Sequence, residues 1–246
     1  MGNSEITFYV CAHKAFDKSD IIAQLPNHKI IYNTTCDNKL NDLKTCYGEM
    51  YTVYDLYINH RDELPDFIGL EHYRRFFDDF ENIYDSLKNN INDIALINRA
   101  LLGKQSIYQY YCMHHSKQDI DLIINIIKEL YPEYAEDTDI VLDRHYMYVC
   151  NMFVMSKDNF IKYCDWLFPI LDKFNDIRNF TSYDDVRKYI LKHASDYPIT
   201  VRSIVNGENT VNYQGRLHGF ICERIFNIFI HHNFKNILEL KMITTA

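Results

Sequence analysis

The stretch Glu71-His72-Tyr73-Arg74-Arg75 sets an acid, an imidazole, a phenol and two guanidiniums side by side. It follows the apolar run Phe67–Leu70, which reads as a short buried strand. In open α/β sheets, ligands bind just beyond the carboxyl ends of strands. Arginine presents a planar donor fork that meets phosphate oxygens two at a time. A strand ending in these residues therefore has the chemistry for a phosphate-bearing ligand. The structural alternative is a turn of solvated charges.

Other candidates lie at comparable places. His13 and Lys14 follow a predicted first strand, Ile6–Val10, where the polarity changes at once. Asp37 sits in a polar loop over residues 33–44 and could meet a ribose or base. His115 and Asp119 are one helical turn apart at a predicted helix start, where the dipole and free N–H groups favour an anion. Asp119 equally reads as a cap in Ser116-x-x-Asp119. Asn151 interrupts the apolar run Tyr148–Met155; a buried Asn must be hydrogen-bonded, so it ties a turn or faces a ligand. Arg216 and His218 precede a predicted last helix that carries Glu223 and Arg224, read as a reactive carboxylate or as a structural ion pair.

The elements that would position these residues alternate. His28–Tyr32 and Ile94–Ile97 read as further short strands. Tyr47, Met50, Tyr51, Tyr54, Tyr57 and Ile58 recur at helical spacing over residues 45–59, and Glu49 falls off that stripe as a solvated residue. Helices are also predicted after Ser116, ending at Pro132, and over residues 158–174 with Pro169 inside. Residues 108–115 read as a loop or irregular strand, residues 137–145 as a loop, and 175–210 carry no strong period. With no repeat, low-complexity tract or linker, the pattern predicts one α/β domain.

Composition narrows the function. A chain of 246 residues with net charge −8 lacks the basic footprint of a nucleic-acid binder. Neither G-x-G-x-x-G nor the P-loop motif occurs. Seven scattered cysteines without a C-x-x-C pair read as reduced thiols, and with no visible signal peptide or spanning segment the expectation is a cytoplasmic protein.

Several pieces occur in a telling order: Tyr9-Val10-Cys11-Ala12-His13-Lys14, Glu49 before a Tyr-rich helix, His72-Tyr73-Arg74-Arg75, Tyr131-Pro132-Glu133-Tyr134, Asn151-Met152-Phe153, Trp166-Leu167-Phe168 and Gly219-Phe220-Ile221-Cys222-Glu223-Arg224. Over nearly the whole chain they resemble the bacterial capsular and exopolysaccharide-synthesis glycosyltransferases long catalogued as a domain of unknown function. The resemblance implies a GT-A-like α/β domain over residues 1–246, a Rossmann-like mixed sheet flanked by helices. Its nucleotide-binding part would span roughly residues 1–100 and its acceptor part roughly 101–246. It implies transfer of galactofuranose or another hexose from a UDP-sugar to a glycan or lipid-linked glycan, at the cytoplasmic face of the inner membrane. On this reading His13, Lys14, Asp37, Tyr73, Arg74, Arg75, Arg216 and His218 are expected at the donor. His115, Asp119 and Asn151 are expected at the acceptor, and Glu71, His72 and Glu223 in catalysis.

Two schemes remain for the leaving diphosphate. Most GT-A enzymes hold Mn²⁺ or Mg²⁺ with D-x-D. Asp119-Ile120-Asp121 and Asp137-Thr138-Asp139 match, but 23 Asp residues placed at random give about two such triplets. Either Glu71 or His72 helps hold a metal, or Arg74 and Arg75 neutralise the diphosphate without one; adjacent cations favour the second. An inverting transferase also needs a carboxylate base, for which Glu71, Asp143 and Glu223 are candidates. The competing class is a non-catalytic sugar- or nucleotide-binding subunit of a polysaccharide assembly.

Overall fold

The computed structural model of the chain describes residues 6–33, 38–199 and 210–245; Asp37 lies outside them. In chain order the strands and helices begin with β1 (Ile6–Ala12), α1 (Ser19–Gln24), β2 (His28–Tyr32), α2 (Lys44–Tyr47), α3 (Met50–Asn59), β3 (Phe67–His72), β4 (Arg75–Phe77) and α4 (Phe80–Lys88). Next come β5 (Ile94–Ile97), β6 (Ala100–Leu101), α5 (Ile107–His114), α6 (Lys117–Leu130), α7 (Ala135–Leu142), β7 (Tyr146–Met147) and β8 (Phe153–Ser156). The chain closes with α8 (Lys157–Arg178), α9 (Tyr183–Lys192), α10 (Thr210–Gln214), α11 (Leu217–Asn233), β9 (Ile237–Leu240) and β10 (Met242–Thr244).

Eight strands form one mixed sheet, as the α/β expectation required. Its spine runs β2, β1, β3, β8, β5, β9, with β1 parallel to both β2 and β3, and β5 parallel to β9. β8 is antiparallel to both of its neighbours, so β3 and β5 point the same way. The β4–β10 pair hangs from the end of β3, where Arg75 pairs with His72. A separate ribbon joins β6 to β7.

Alternation along β3 sorts its side chains between the two faces. Ile68 and Leu70 enter the large helix-covered core with Tyr47, Tyr51, Tyr163 and Phe226. The other face carries Phe8, Phe77, Ile83 and Val154 under α4. Gly69 belongs to that second face, where an added Cβ would lie 2.5 Å from the Phe8 ring. A side chain there would push β1 and β3 apart.

Three local expectations are corrected. Residues 108–115 are helix α5, not loop, and a full capping box between Ser106 and Gln109 starts it. Most of residues 137–145 belongs to α7, which begins with Glu136 and Asp137 in its first turn. The helix expected at 45–59 breaks at Gly48, whose φ of 57° favours glycine. That break puts Glu49 at the N-terminus of α3 rather than on its solvated back.

Candidate functional site

The carboxyl ends of β1 and β3 are tied together, since the Tyr73 N–H donates to the Cys11 carbonyl at 3.1 Å. This brings two loops into one cluster. The His13 ring meets Tyr73 edge-on at 5.1 Å, and the Arg74 guanidinium lies over the Tyr73 ring, 4.8 Å from its centroid. Burial, then the positive charges of Lys14, Arg74 and Arg216, hold the His13 pKa below its usual value. Three cations therefore act on one imidazole and disfavour its protonation. His13, Lys14 and Arg74 are exposed, so their donors face outward.

Arg216 reaches this cluster from 200 residues away in sequence because it stands at the N-terminus of α11, stacked on Tyr213 at 5.2 Å and Phe220 at 5.5 Å. The helix N-terminus adds positive potential to the same place.

Beneath the cluster lies the turn between β7 and β8. Cys150 and Asn151 both have positive φ, 71° and 50°, an uncommon succession for residues with side chains. Four groups from three elements grip it. His72 Nε2 donates to the Cys150 carbonyl at 2.6 Å, and Glu223 Oε1 accepts from the Cys150 N–H at 2.6 Å. The Asn151 amide donates to Glu49 Oε1 at 2.6 Å. Asn227 closes the rest, exchanging bonds of 2.8 and 2.9 Å with the Tyr148 backbone. The Asn151 oxygen is buried with no donor among the described residues. Glu223 also takes Arg224 at 2.7 Å, and its side chain remains 21% exposed.

Other expected site residues lie elsewhere. Glu71 is fully buried on the opposite face of β3 from His72, accepting from the Phe77 N–H at 2.9 Å and facing His28 at 3.4 Å. It cannot share a metal ion with His72 or reach a ligand over the cluster. His218 is fully buried, donates to Asn175 at 2.7 Å and stacks on Tyr47 at 4.4 Å. Burial pushes its pKa down to about 3, so it is a neutral core residue and not a diphosphate contact. Asp119 is buried against Arg178 and the Tyr197 hydroxyl, each at 2.8 Å, and is neither the cap of α6 nor an acceptor contact. His115 is buried beneath Arg216's neighbours, donating to Gln214 at 2.8 Å and stacked on Phe220 at 4.2 Å. Arg75 is partly buried in β4. Trp166 packs in the core against Tyr134 and Phe229.

Neither D-x-D triplet fits a metal. Asp119 serves Arg178, Asp121 pairs with Lys117 and Tyr108, Asp137 with His232, and Asp139 with Lys128. Among the described residues, no three His, Cys, Asp or Glu side chains converge as an ion would need. The residue that pattern reading missed is Glu49; Gly48 before it was the available signal of a helix start.

Residues 8–201 match the family described as domain of unknown function DUF4422, and the chain belongs to that family. Among solved structures it is similar to WbbM, described as a bifunctional glycosyltransferase in its apo form, at TM-score 0.72 and 22% identity. That match covers 98% of this chain and 45% of WbbM, so the chain spans less than half of that relative's length. No curated protein matches. The likeness is one of fold. Among the described residues no helix is long and apolar enough to cross a membrane.

Proposed function

We propose that this chain is a glycosyltransferase that moves a hexose, galactofuranose being one candidate, from a UDP-sugar to a glycan or lipid-linked glycan in polysaccharide synthesis. The observation that carries the reading is the basic cluster at the carboxyl ends of β1 and β3, where His13 and Arg74 both meet the Tyr73 ring next to Lys14, and Arg216 adds its charge to the field at His13. The likeness in fold to a bifunctional glycosyltransferase supports it.

In this reading the three cations, joined by Tyr73 and Arg75, bind the donor diphosphate and stabilise its charge as the sugar–phosphate bond breaks. His13, whose pKa burial and the cations lower, contributes a ring hydrogen bond. Such a clamp would supply the neutralisation that a divalent ion supplies elsewhere. Glu223, partly exposed on the helix that Arg216 begins, is the proposed base for the acceptor hydroxyl. His72, Glu49 and Asn151 position the turn that Glu223 grips, and the unpaired Asn151 oxygen awaits a hydroxyl donor. Glu71, buried behind the strand, keeps β3 and β4 in register.

The test is thermal unfolding with UDP, GDP, CDP and their sugar conjugates, with Mn²⁺ and with EDTA. A ligand at about 100 times its Kd adds about 2.7 kcal/mol of stability. A UDP-selective shift that survives EDTA supports the clamp, and a shift requiring Mn²⁺ replaces it with a metal scheme. Absence of any shift would count against the transferase and favour a binding subunit of another specificity.

A further inference from the structure

We propose that the cavity between the β6–β7 ribbon and the C-terminal half of α11 is a second anion site, which holds an acidic group of the acceptor. That it is the acceptor's group rests on the transferase reading; that the cavity takes an anion does not.

The cavity encloses about 360 Å³, within the size of small-molecule sites. Its walls carry three cations, Arg99, Arg144 and Lys235, against one carboxylate, Glu239. In a chain of net charge −8 this local excess opposes the bulk composition. Tyr146 stands between the two arginines, whose guanidiniums lie 4.9 and 5.7 Å from its ring centroid. Stacking on an aromatic ring holds a guanidinium in place without neutralising it. Arg144 donates to His231 Nδ1 at 2.8 Å, which leaves the rest of its fork available. Arg99 is the partly satisfied member, paired to Glu239 at 2.8 Å, and Glu239 also accepts from the Tyr148 hydroxyl. Asp137 lies behind the wall, against His231 and His232.

Position points to the acceptor. The cavity is on the same sheet face as His72, and Asn227 and Tyr148 line it while also holding the Cys150 turn. Along α11, His231 is eight residues past Glu223, about 12 Å at the helical rise. That is farther than one sugar ring, so the anion belongs to a unit next to the one that reacts. A phosphate and a uronic carboxylate share the required chemistry.

The experiment is calorimetric titration of the full chain with sn-glycerol 3-phosphate and with methyl glucuronide, using methyl glucoside as the neutral control and UDP in parallel. The proteins are wild type, Arg144→Gln, Lys235→Gln and Arg74→Gln. With UDP saturating the basic cluster at His13, at least one acidic probe is expected to bind wild type, roughly tenfold more weakly in the Arg144 and Lys235 variants and unchanged in Arg74→Gln saturated with UDP in the same way. The better probe names the phosphate or the carboxylate. Lys235→Gln is a surface change that keeps the test valid if Arg144→Gln misfolds. Equal binding of methyl glucoside, a loss confined to Arg74→Gln, or no acidic probe bound by protein that still binds UDP would each overturn the site. If UDP fails to bind while Arg144-dependent anion binding persists, the transferase reading falls and the anion site stands.

Discussion

The Asn151 side chain donates to the Glu49 carboxylate across 2.6 Å, joining residues 102 positions apart. Through this bond the start of α3 holds a turn that two successive left-handed residues would otherwise leave strained. Alanine at 151 loses a charge-assisted bond and keeps the unfavourable φ, so Asn151→Ala should cost about 2–4 kcal/mol. Glycine spares the backbone part, so Asn151→Gly should cost distinctly less. Urea unfolding of both variants, with Glu49→Gln in a double-mutant cycle, checks this; additive losses would mean that the bond carries no coupling.

The cationic cluster predicts a graded response to charge removal. Lys14→Gln, Arg74→Gln and Arg216→Gln should each weaken UDP roughly tenfold, since a hydrogen bond to a charged group is worth about 1.5–3 kcal/mol. Arg99→Gln should leave UDP binding unchanged. Titration at low and high salt reads both effects, and equal losses for all four variants would dissolve the distinction between the two basic regions.

His13 reports on the same cluster without any ligand. Its pKa is lowered by burial and by Lys14, Arg74 and Arg216, so removing one cation must raise it. Imidazole proton shifts followed by NMR across neutral pH should show a higher midpoint in Arg74→Gln than in wild type. An unmoved midpoint would show that Arg74 does not face the ring in solution.

Of the three carboxylates the sequence offered as a base, Glu71, Asp143 and Glu223, the proposed one is Glu223. Glu223→Gln should lower kcat about a hundredfold or more with little change in donor KM, the mark of a lost base. Glu71→Gln should act on stability, because its carboxylate is enclosed with the Phe77 N–H and His28. Rates measured with a competent donor decide; loss of kcat in a stable Glu71→Gln would reverse the assignment.

Strand chemistry was legible where the polarity switched within one residue, as at Ala12–His13 and Leu70–Glu71. The first of these is the end of β1, whereas β3 runs two residues further, to His72, with Glu71 buried inside it. Burial of the polar residues was not legible. His218 looks reactive in sequence, yet its partners Asn175 and Tyr47 come from distant elements, and only tertiary packing makes it a core residue. Asp119 misled in the same way, since Arg178 and Tyr197 lie 59 and 78 positions on. Helix α5 hid because only Ile107 and Tyr111 are buried along it, too few to print a period. Glu49 was lost because a periodic stripe tells which face a residue occupies but not that the helix begins there.

His28 supplies the last prediction, on pH. Burial acts to lower its pKa, but the 3.4 Å contact with the Glu71 carboxylate, the hydrogen bond to the Pro26 carbonyl and the charge of Glu71 outweigh burial, and the net shift is upward. The folded state therefore binds this proton more tightly than the unfolded chain, whose His titrates near 6.5. The stabilisation is fully present below that value and is lost as pH rises through the higher folded pKa. His13, His115, His218 and His231 are shifted downward and tilt total stability the opposite way. They are common to wild type and His28→Gln, so the difference between those two proteins isolates the His28 contribution. Urea midpoints from about pH 5.5 to about pH 8.5 should show a gap that narrows as pH rises. A gap that stays constant would mean His28 is neutral throughout, and its 3.4 Å contact with Glu71 would then be packing and not an ion pair.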